Sequence, residues 1–403
     1  MQKTYTAIII GAGQAGLAAA HELVRRGLAP GADFLVLDAD DGPGGAWRHR
    51  WDSLVFGRAH GIADLPGLPL GQPPREVPAS RVVAEYYGCY EEEFGLAVRR
   101  PARVLRVEED HERPDLLRLT VREDSEDRIY LTRYVLSAAG TWTSPYVPTI
   151  PGIGEFRGAQ LHTRDYVRRE DFAGRRTLVV GGGLSAVQFL LELAPVTETI
   201  WATRRPPNFT DRGFDAGRGR EVEEAVRTRT AAGRAPASVV RTTGIPLWEE
   251  YVRGVEQGVL VSRGMPERLT PTGAVWGPDP SGQQLPADRE PEAGASGGRG
   301  PSASEGLVMP ASWDPFPAGH EEPVDVVFWN TGFRPALNHL APLRLREPGG
   351  GIRMLDEVSP ARDRRVLLVG YGSTASAIGA NRAGRLAGRA LARRLAEDER
   401  SRR

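Results

Sequence analysis

Cysteine is almost missing from this chain. The single Cys89 excludes an internal disulfide and any Cys-x-x-Cys redox pair. Lysine is nearly missing too: Lys3 stands alone, so arginine carries almost all the positive charge. Net charge is absent, with 52 basic residues against 52 acidic ones, and nothing global points to nucleic acid or a membrane surface. No apolar run approaches the ~18 residues of a membrane helix, so no membrane segment is expected. No metal site is assigned. The first apolar strand starts near Tyr5, which leaves no room for a secretory leader. A cytoplasmic α/β protein is the expectation, with room for two or three domains of about 150 residues each.

What is present begins with Ile8-Ile9-Ile10-Gly11-Ala12-Gly13-Gln14-Ala15-Gly16. A buried strand runs into a Gly-x-Gly-x-x-Gly turn, and a helix is predicted from Leu17 to Arg26. The first Gly makes the turn, the second lets a pyrophosphate approach, and the third packs helix on strand. The helix start offers unpaired N–H groups to phosphate. A second strand, Phe34 to Leu37, ends at Asp38, about twenty residues beyond Gly16, where an acid meets a ribose hydroxyl. Next comes a glycine-rich loop, Gly42 to Asp52, with Gly44, Gly45, Trp47 and Trp51. Glycine permits close approach to a flat ring system and Trp supplies a wall.

Ser80 to Phe94 reads as a helix. Val104–Val107, Leu116–Val121 and Arg128–Leu131 read as a small antiparallel meander, followed by a separate buried strand from Tyr134. The opening device then repeats: Thr177 to Val180 is a strand, Gly181-Gly182-Gly183-Leu184-Ser185-Ala186 is the turn, and a helix follows. Here the next strand ends at Arg204 and Arg205, again about twenty residues on; arginine suits the 2′-phosphate of NADP. Two mononucleotide folds with opposite ribose preferences imply hydride transfer from a nicotinamide to a second redox cofactor, and FAD is the natural one. Short helices are expected within Glu221–Arg229 and Pro246–Gln257. About 277–305 is a Pro/Gly/Ser-rich tract read as a flexible surface loop. Two further buried strands follow, one into Asn330-Thr331-Gly332-Phe333-Arg334-Pro335, one into Gly370-Tyr371-Gly372.

In that order the motifs resemble the flavin-containing, NADPH-dependent monooxygenases. Phe156-x-Gly158-x-x-x-His162-x-x-x-Tyr166 fits their identifying pattern. Tyr166 and the Trp47 loop look more like the N/S-oxygenating and indole-pyruvate-type branches than the Baeyer–Villiger one. The resemblance implies two Rossmann-like dinucleotide-binding domains, with an NADP-binding domain (156–310) inserted in a discontinuous FAD-binding domain (1–155 and 311–403). It also implies that FAD is held by Gly11, Gly13, Gly16 and Asp38, with Gly44, Gly45 and Trp47 by the flavin, and Thr331, Gly332, Gly370 and Gly372 among the cofactor contacts. NADPH falls to Gly181, Gly183, Ser185, Ala186, Arg204 and Arg205. His162 is expected to support the domain hinge and not the chemistry. Leu184 replaces an Asn frequent in the NADP turn. Gly57 stands where many N/S-oxygenating relatives have an Asn that hydrogen-bonds the flavin adduct, leaving Arg58 or His60 for that role.

The implied reaction carries one oxygen atom of O2 to a small organic substrate through a C4a-hydroperoxyflavin. The alternative is an NADPH-dependent flavoprotein reductase passing electrons to a quinone or a protein; a third reading is a non-enzymatic nucleotide sensor. Trp142, Tyr146, Phe209, Phe214 and Trp248 suit a modest organic molecule. These readings allow a homodimer.

Overall fold

In the computed structural model, residues 3–59, 62–211, 216–236, 244–278 and 309–402 are described. The chain divides into two compact units: residues 1–144, 220–237 and 335–403 form one, and 145–219 with 238–334 the other.

The first unit is built on a seven-stranded sheet. Its strands are β1 (Thr4–Ile10), β2 (Phe34–Leu37), β3 (Val98–Arg99), β4 (Arg103–Glu109), β5 (Leu117–Glu123), β6 (Glu126–Ser137) and the late β16 (Val366–Leu368). The order is β3-β2-β1-β6-β5-β4, with β16 also on β6. β1 is central and parallel to both β2 and β6, with Ile10 opposite Leu37 on one side and Ser137 on the other. That position explains its unbroken apolar run. Ala7 and Ile9 enter the core beneath helices α1 (Gln14–Arg25) and α2 (Ala79–Glu93), while Ile8 and Ile10 enter the core on the opposite face.

The meander differs from expectation at its third strand. β6 is one strand of 12 residues, and nothing between Leu131 and Tyr134 breaks it. Its first half pairs antiparallel with β5 and its last residues pair parallel with β16. Thr132 and Arg133 interrupt the apolar pattern without interrupting the backbone, because Thr132 is fully buried and donates its hydroxyl to the Tyr5 carbonyl at 3.2 Å.

The second unit repeats the device in a four-stranded parallel sheet. It orders β7 (Ala159–His162), β15 (Val326–Trp329), β8 (Arg176–Val180) and β9 (Glu198–Ala202). Helix α3 (Leu184–Leu193) follows β8. One face carries Leu178, Val180, Ile200 and Trp329 against Leu269 and Trp276. These last belong to a small sheet of β12 (Pro266–Thr270), β13 (Gly273–Trp276) and β14 (Glu321–Pro323). β10 (Phe209–Thr210) and β11 (Ile245–Pro246) make a short pair, and helix α5 (Glu249–Glu256) follows them.

Three placements differ from the division drawn on sequence, the first being residues 145–155, which lie in the second unit. Residues 311–334 lie in the second unit, because β15 supplies the strand between β7 and β8. Residues 220–237, which take in all but the first turn of α4 (Ala216–Ala231), cluster with the first unit. There the Met354 amide donates to the Thr230 carbonyl at 3.0 Å, and Arg382 pairs with Glu223 at 2.8 Å. The expected flexible tract about 277–305 lies outside the described residues from 279 onward. Among the described residues, no helix is long and apolar enough to cross a membrane.

The first unit also contains a buried histidine with a measurable consequence. His339 sits beside the Ser137 hydroxyl, Nε2 to Oγ 3.0 Å, and burial pushes its pKa down from 6.5 to about 4. An unfolded chain therefore binds a proton near pH 6.5 that the folded chain refuses until near pH 4. Stability should fall as pH drops through that window, by about 3 kcal/mol in all. His339→Gln removes this contribution, so urea titrations at pH 7 and pH 4.5 should differ less for the variant than for the parent. Equal differences would show that His339 does not drive the acid limb.

Candidate functional site

The two units carry the same local construction at the carboxyl ends of their central strands. In the first, Gly11 has φ +99°, and a Cβ there would lie 2.6 Å from the Ala138 carbonyl oxygen, beyond the end of β6. A Cβ on Gly16 would lie only 1.9 Å from the Gly11 carbonyl oxygen. In the second, Gly181 has φ +146°, and its Cβ would lie 2.2 Å from the Asn330 carbonyl oxygen, beyond the end of β15. So β2-β1-β6 and β9-β8-β15 are equivalent triplets, each with a glycine turn pressed on the strand that flanks it. The helices behind these turns begin at Gly13 and Gly183, and no side chain caps either. Their first N–H groups face outward with the positive end of the helix dipole. This is the arrangement that receives a phosphate group.

Around the first turn, segments far apart in sequence come together. A Cβ on Gly45 would lie 2.8 Å from the Gly13 Cα, and a Cβ on Gly370 would lie 3.7 Å from the Ala15 side chain. Gly44 caps a 3-10 turn, Gly45–His49, with φ +118°, and Trp47 packs on the core from this turn. Gly372 closes the loop after β16 and precedes helix α6 (Ala377–Arg402). The small residues of α6 serve close packing: a Cβ on Gly384 would lie 2.6 Å from the Ala18 side chain of α1.

Asp38 ends β2 and is buried. Its backbone is fixed from both sides, donating to the Arg99 carbonyl at 3.0 Å and accepting from the Ala102 amide at 2.7 Å. Arg100 Nε donates to its Oδ2 at 3.0 Å and grips both Glu91 oxygens at 2.6 and 2.7 Å. Burial pushes the Asp38 carboxyl above its ordinary range, and the Arg100 cation opposes that. Arg100 has no local signal in the sequence, since its partners are contributed by β2 and α2.

In the second unit Ala186 is buried in the first turn of α3 and Ser185 is exposed beside it. Trp201 Nε1 donates to the Gly181 carbonyl at 2.7 Å and steadies the turn. Arg204 and Arg205 follow β9 and are exposed. Among the described residues neither side chain has an ion pair or a hydrogen bond. Thr331 and Gly332 are engaged within this unit: the Thr331 hydroxyl donates to the Tyr146 carbonyl, and the Gly332 carbonyl accepts from the Tyr146 amide at 3.0 Å.

The residues of the identifying motif make packing and hydrogen-bond contacts within the second unit. His162 Nε2 lies 3.0 Å from the same Gly332 carbonyl, and His162 and Asp165 form a reciprocal cap. A Cβ on Gly158 would lie 2.4 Å from the Asp325 carbonyl oxygen. Tyr166 packs with Phe172, Phe189 and Phe328, and its hydroxyl donates to Glu192 at 2.9 Å.

Of the two side chains expected to replace the missing Asn, His60 lies outside the described residues. Arg58 ends a 3-10 turn, Phe56–Arg58, and is exposed. Gly57 has a steric reason: its amide donates to the Arg75 carbonyl at 2.8 Å, and a Cβ would lie 3.1 Å from that oxygen and 2.9 Å from the Arg75 Cβ. An Asn side chain there requires the backbone at Arg75 to move.

Comparison with known proteins agrees with this geometry. A family profile described as pyridine nucleotide-disulphide oxidoreductase matches residues 8–218. The chain is similar to the solved flavin-containing monooxygenase from Stenotrophomonas maltophilia, with 31% identity and a TM-score of 0.71 over 98% of this chain and 100% of that one. It is 34% identical over 188 residues to indole-3-pyruvate monooxygenase YUCCA1 of Oryza sativa subsp. japonica, covering 46% of this chain and 44% of that protein. It is 30% identical over 203 residues to the uncharacterized oxidoreductase CzcO of Bacillus velezensis, covering 50% and 56%. The chain thus spans about half the length of the curated relatives it matches.

Proposed function

The chain belongs to the flavin-containing monooxygenase group of the pyridine nucleotide-disulphide oxidoreductases, and from that premise we propose that it uses FAD and NADPH to transfer one oxygen atom of O2 to a small organic substrate. The observation that carries this reading is the duplicated strand-turn-helix, followed by a buried acid (Asp38) in one copy and by two exposed arginines (Arg204, Arg205) in the other.

Flavin supplies the redox chemistry, accepting hydride from NADPH and activating O2. The protein's share is binding and orientation. Gly11, Gly13 and Gly16 with the uncapped start of α1 would receive the FAD diphosphate, and the Asp38 carboxylate would accept a hydrogen bond from a ribose hydroxyl. Gly44, Gly45 and Trp47 lie along the ring, and Gly370 and Gly372 close the turn from the other end of the chain. Gly181, Gly183, Ser185 and Ala186 receive the NADPH diphosphate, and Arg204 and Arg205 its 2′-phosphate. Thr331 and Gly332 shape the backbone behind β15. An internal redox disulfide cannot form in this chain, whose one cysteine, Cys89, is exposed on α2.

Oxygen transfer is tested by incubating the protein with NADPH, heavy-isotope dioxygen and a panel of amines, sulfides and ketones. Label should appear in at least one product. NADPH oxidation with stoichiometric peroxide and no labelled product would assign electron transfer alone. Asp38→Ala tests the FAD assignment separately. Losing a charge-assisted hydrogen bond should weaken flavin about tenfold or more, read as the flavin-to-protein absorbance ratio after gel filtration. Unchanged yellow protein would rule Asp38 out as the ribose anchor.

A further inference from the structure

One cation at the ligand-bearing edge of the first sheet has no role in the binding scheme above. Arg50 follows the Gly45–His49 turn. Its guanidinium carbon lies 4.4 Å from the ring centre of Trp142 and 5.8 Å from those of Trp47 and Trp51. Its Nε is buried and meets no hydrogen-bond acceptor. The carboxylates nearest in sequence are committed elsewhere: Asp40 to His49, Asp41 to Arg48 and Asp52 to Arg81. Burial alone pulls the Arg50 pKa down to about 10, the direction taken by a cation without a counter-charge.

A buried charge is costly unless it is paired, and indole faces offset only part of that cost. Arg50 is half-buried, with its Nε cut off from water and unpartnered among the described residues, so an anion beside the guanidinium offsets that cost. The loop holding it follows β2 and the segment holding Trp142 follows β6, the two strands that flank β1. Ligands of open α/β sheets bind outside these carboxyl ends. The dinucleotide diphosphate is already served by the uncapped start of α1. The flavin ring carries a full negative charge only when reduced, and in the oxidised protein titrated below it carries none. The missing negative charge falls to the substrate.

We propose that Arg50, held by Trp47, Trp51 and Trp142, is the binding site for the carboxylate of the substrate, which makes this enzyme selective for small organic acids. The selectivity rests on the oxygenase reading; the binding does not, so binding is measured without turnover. Benzoate and benzamide are titrated into the flavin-loaded protein, following the flavin absorbance and calorimetry in parallel. Benzoate should bind at least tenfold more tightly than benzamide, in keeping with a charge-assisted hydrogen bond. Arg50→Met should erase the difference and Arg50→Lys should keep part of it, with flavin content unchanged in both. Equal binding of the two probes, or binding of neither, overturns the proposal even if a variant fails to fold, because the parent alone gives that answer. Loss of flavin or a shifted flavin potential in Arg50→Met, with the benzoate preference intact, overturns it in favour of a cofactor role. A benzoate preference without labelled product from any substrate keeps the site and sinks only the oxygenase reading.

Discussion

Gly16→Ala protein should emerge from purification colourless and with a lowered melting temperature, whereas Gly13→Ala protein should melt normally and hold flavin weakly. Both positions belong to one motif, yet their surroundings differ. A Cβ on Gly16 would stand 1.9 Å from the Gly11 carbonyl oxygen and 3.0 Å from its carbon. Both are backbone atoms of a residue itself held at φ +99° against Ala138. Nothing nearby is a flexible side chain that can swing away, so α1 must shift off β1. Overpacking of this kind costs about 1–3 kcal/mol and more where backbone must move. The shift also carries the helix start away from the turn, which removes the phosphate site. At Gly13 the nearest atom to an added Cβ is the Gly45 Cα at 3.9 Å. The fold has room for that methyl group, and a pyrophosphate lying on the turn does not. Thermal melts and flavin-to-protein ratios on the two variants separate the effects. A yellow Gly16→Ala protein with an unchanged melt would refute the packing argument. Unaltered flavin affinity in Gly13→Ala would refute the place assigned to the pyrophosphate.

Arg204→Ser with Arg205→Ser should lower kcat/KM for NADPH by about a hundredfold or more and leave that for NADH close to unchanged. Each charge-assisted hydrogen bond to a phosphate is worth about 1.5–3 kcal/mol, and two such bonds are lost. The side chains are exposed and engage no other described residue, so stability should move little. That is what makes the test clean: a fall confined to NADPH reports the 2′-phosphate, whereas an equal fall with both nucleotides would mean that the turn itself had been disturbed. Raising the salt concentration should narrow the gap between the two nucleotides in the parent, because these charges are open to solvent.

Much of this architecture is legible in the chain. The apolar runs of β1 and β8 lead into their glycine turns as local patterns require, and the acid and the arginines sit at the expected offsets. Those signals are short-range: strand, turn and helix are consecutive, and the glycines answer to contacts within a few residues or across one neighbouring strand. Gly158, His162 and Tyr166 were legible as a motif too, and in the fold they pack and hydrogen-bond around β15.

The rest needed the third dimension. β6 is continuous with Thr132 fully buried between the Tyr5 carbonyl of β1 and the Tyr134 carbonyl of its own strand, and the first of these acceptors is remote in sequence. Residues 220–237 join the first unit through Met354 and Arg382, and β15 joins the second through pairing with β7 and β8. Pairing partners so distant are chosen by which edges remain free once the nearer elements have folded. Arg100 reaches Asp38 and Glu91 in the same way, and Arg75 explains Gly57.

By itself the sequence determined that there are two dinucleotide folds and that one strand end carries an acid and the other two arginines, since strand periodicity, glycine spacing and the charge at the strand end are local properties. Only the tertiary structure decided which arginines act as free charges. A guanidinium in a sequence is simply positive. Whether it is neutralised, as Arg100 is, exposed, as Arg204 is, or stranded among indole rings, as Arg50 is, depends on which carboxylates the fold brings within about 3–4 Å.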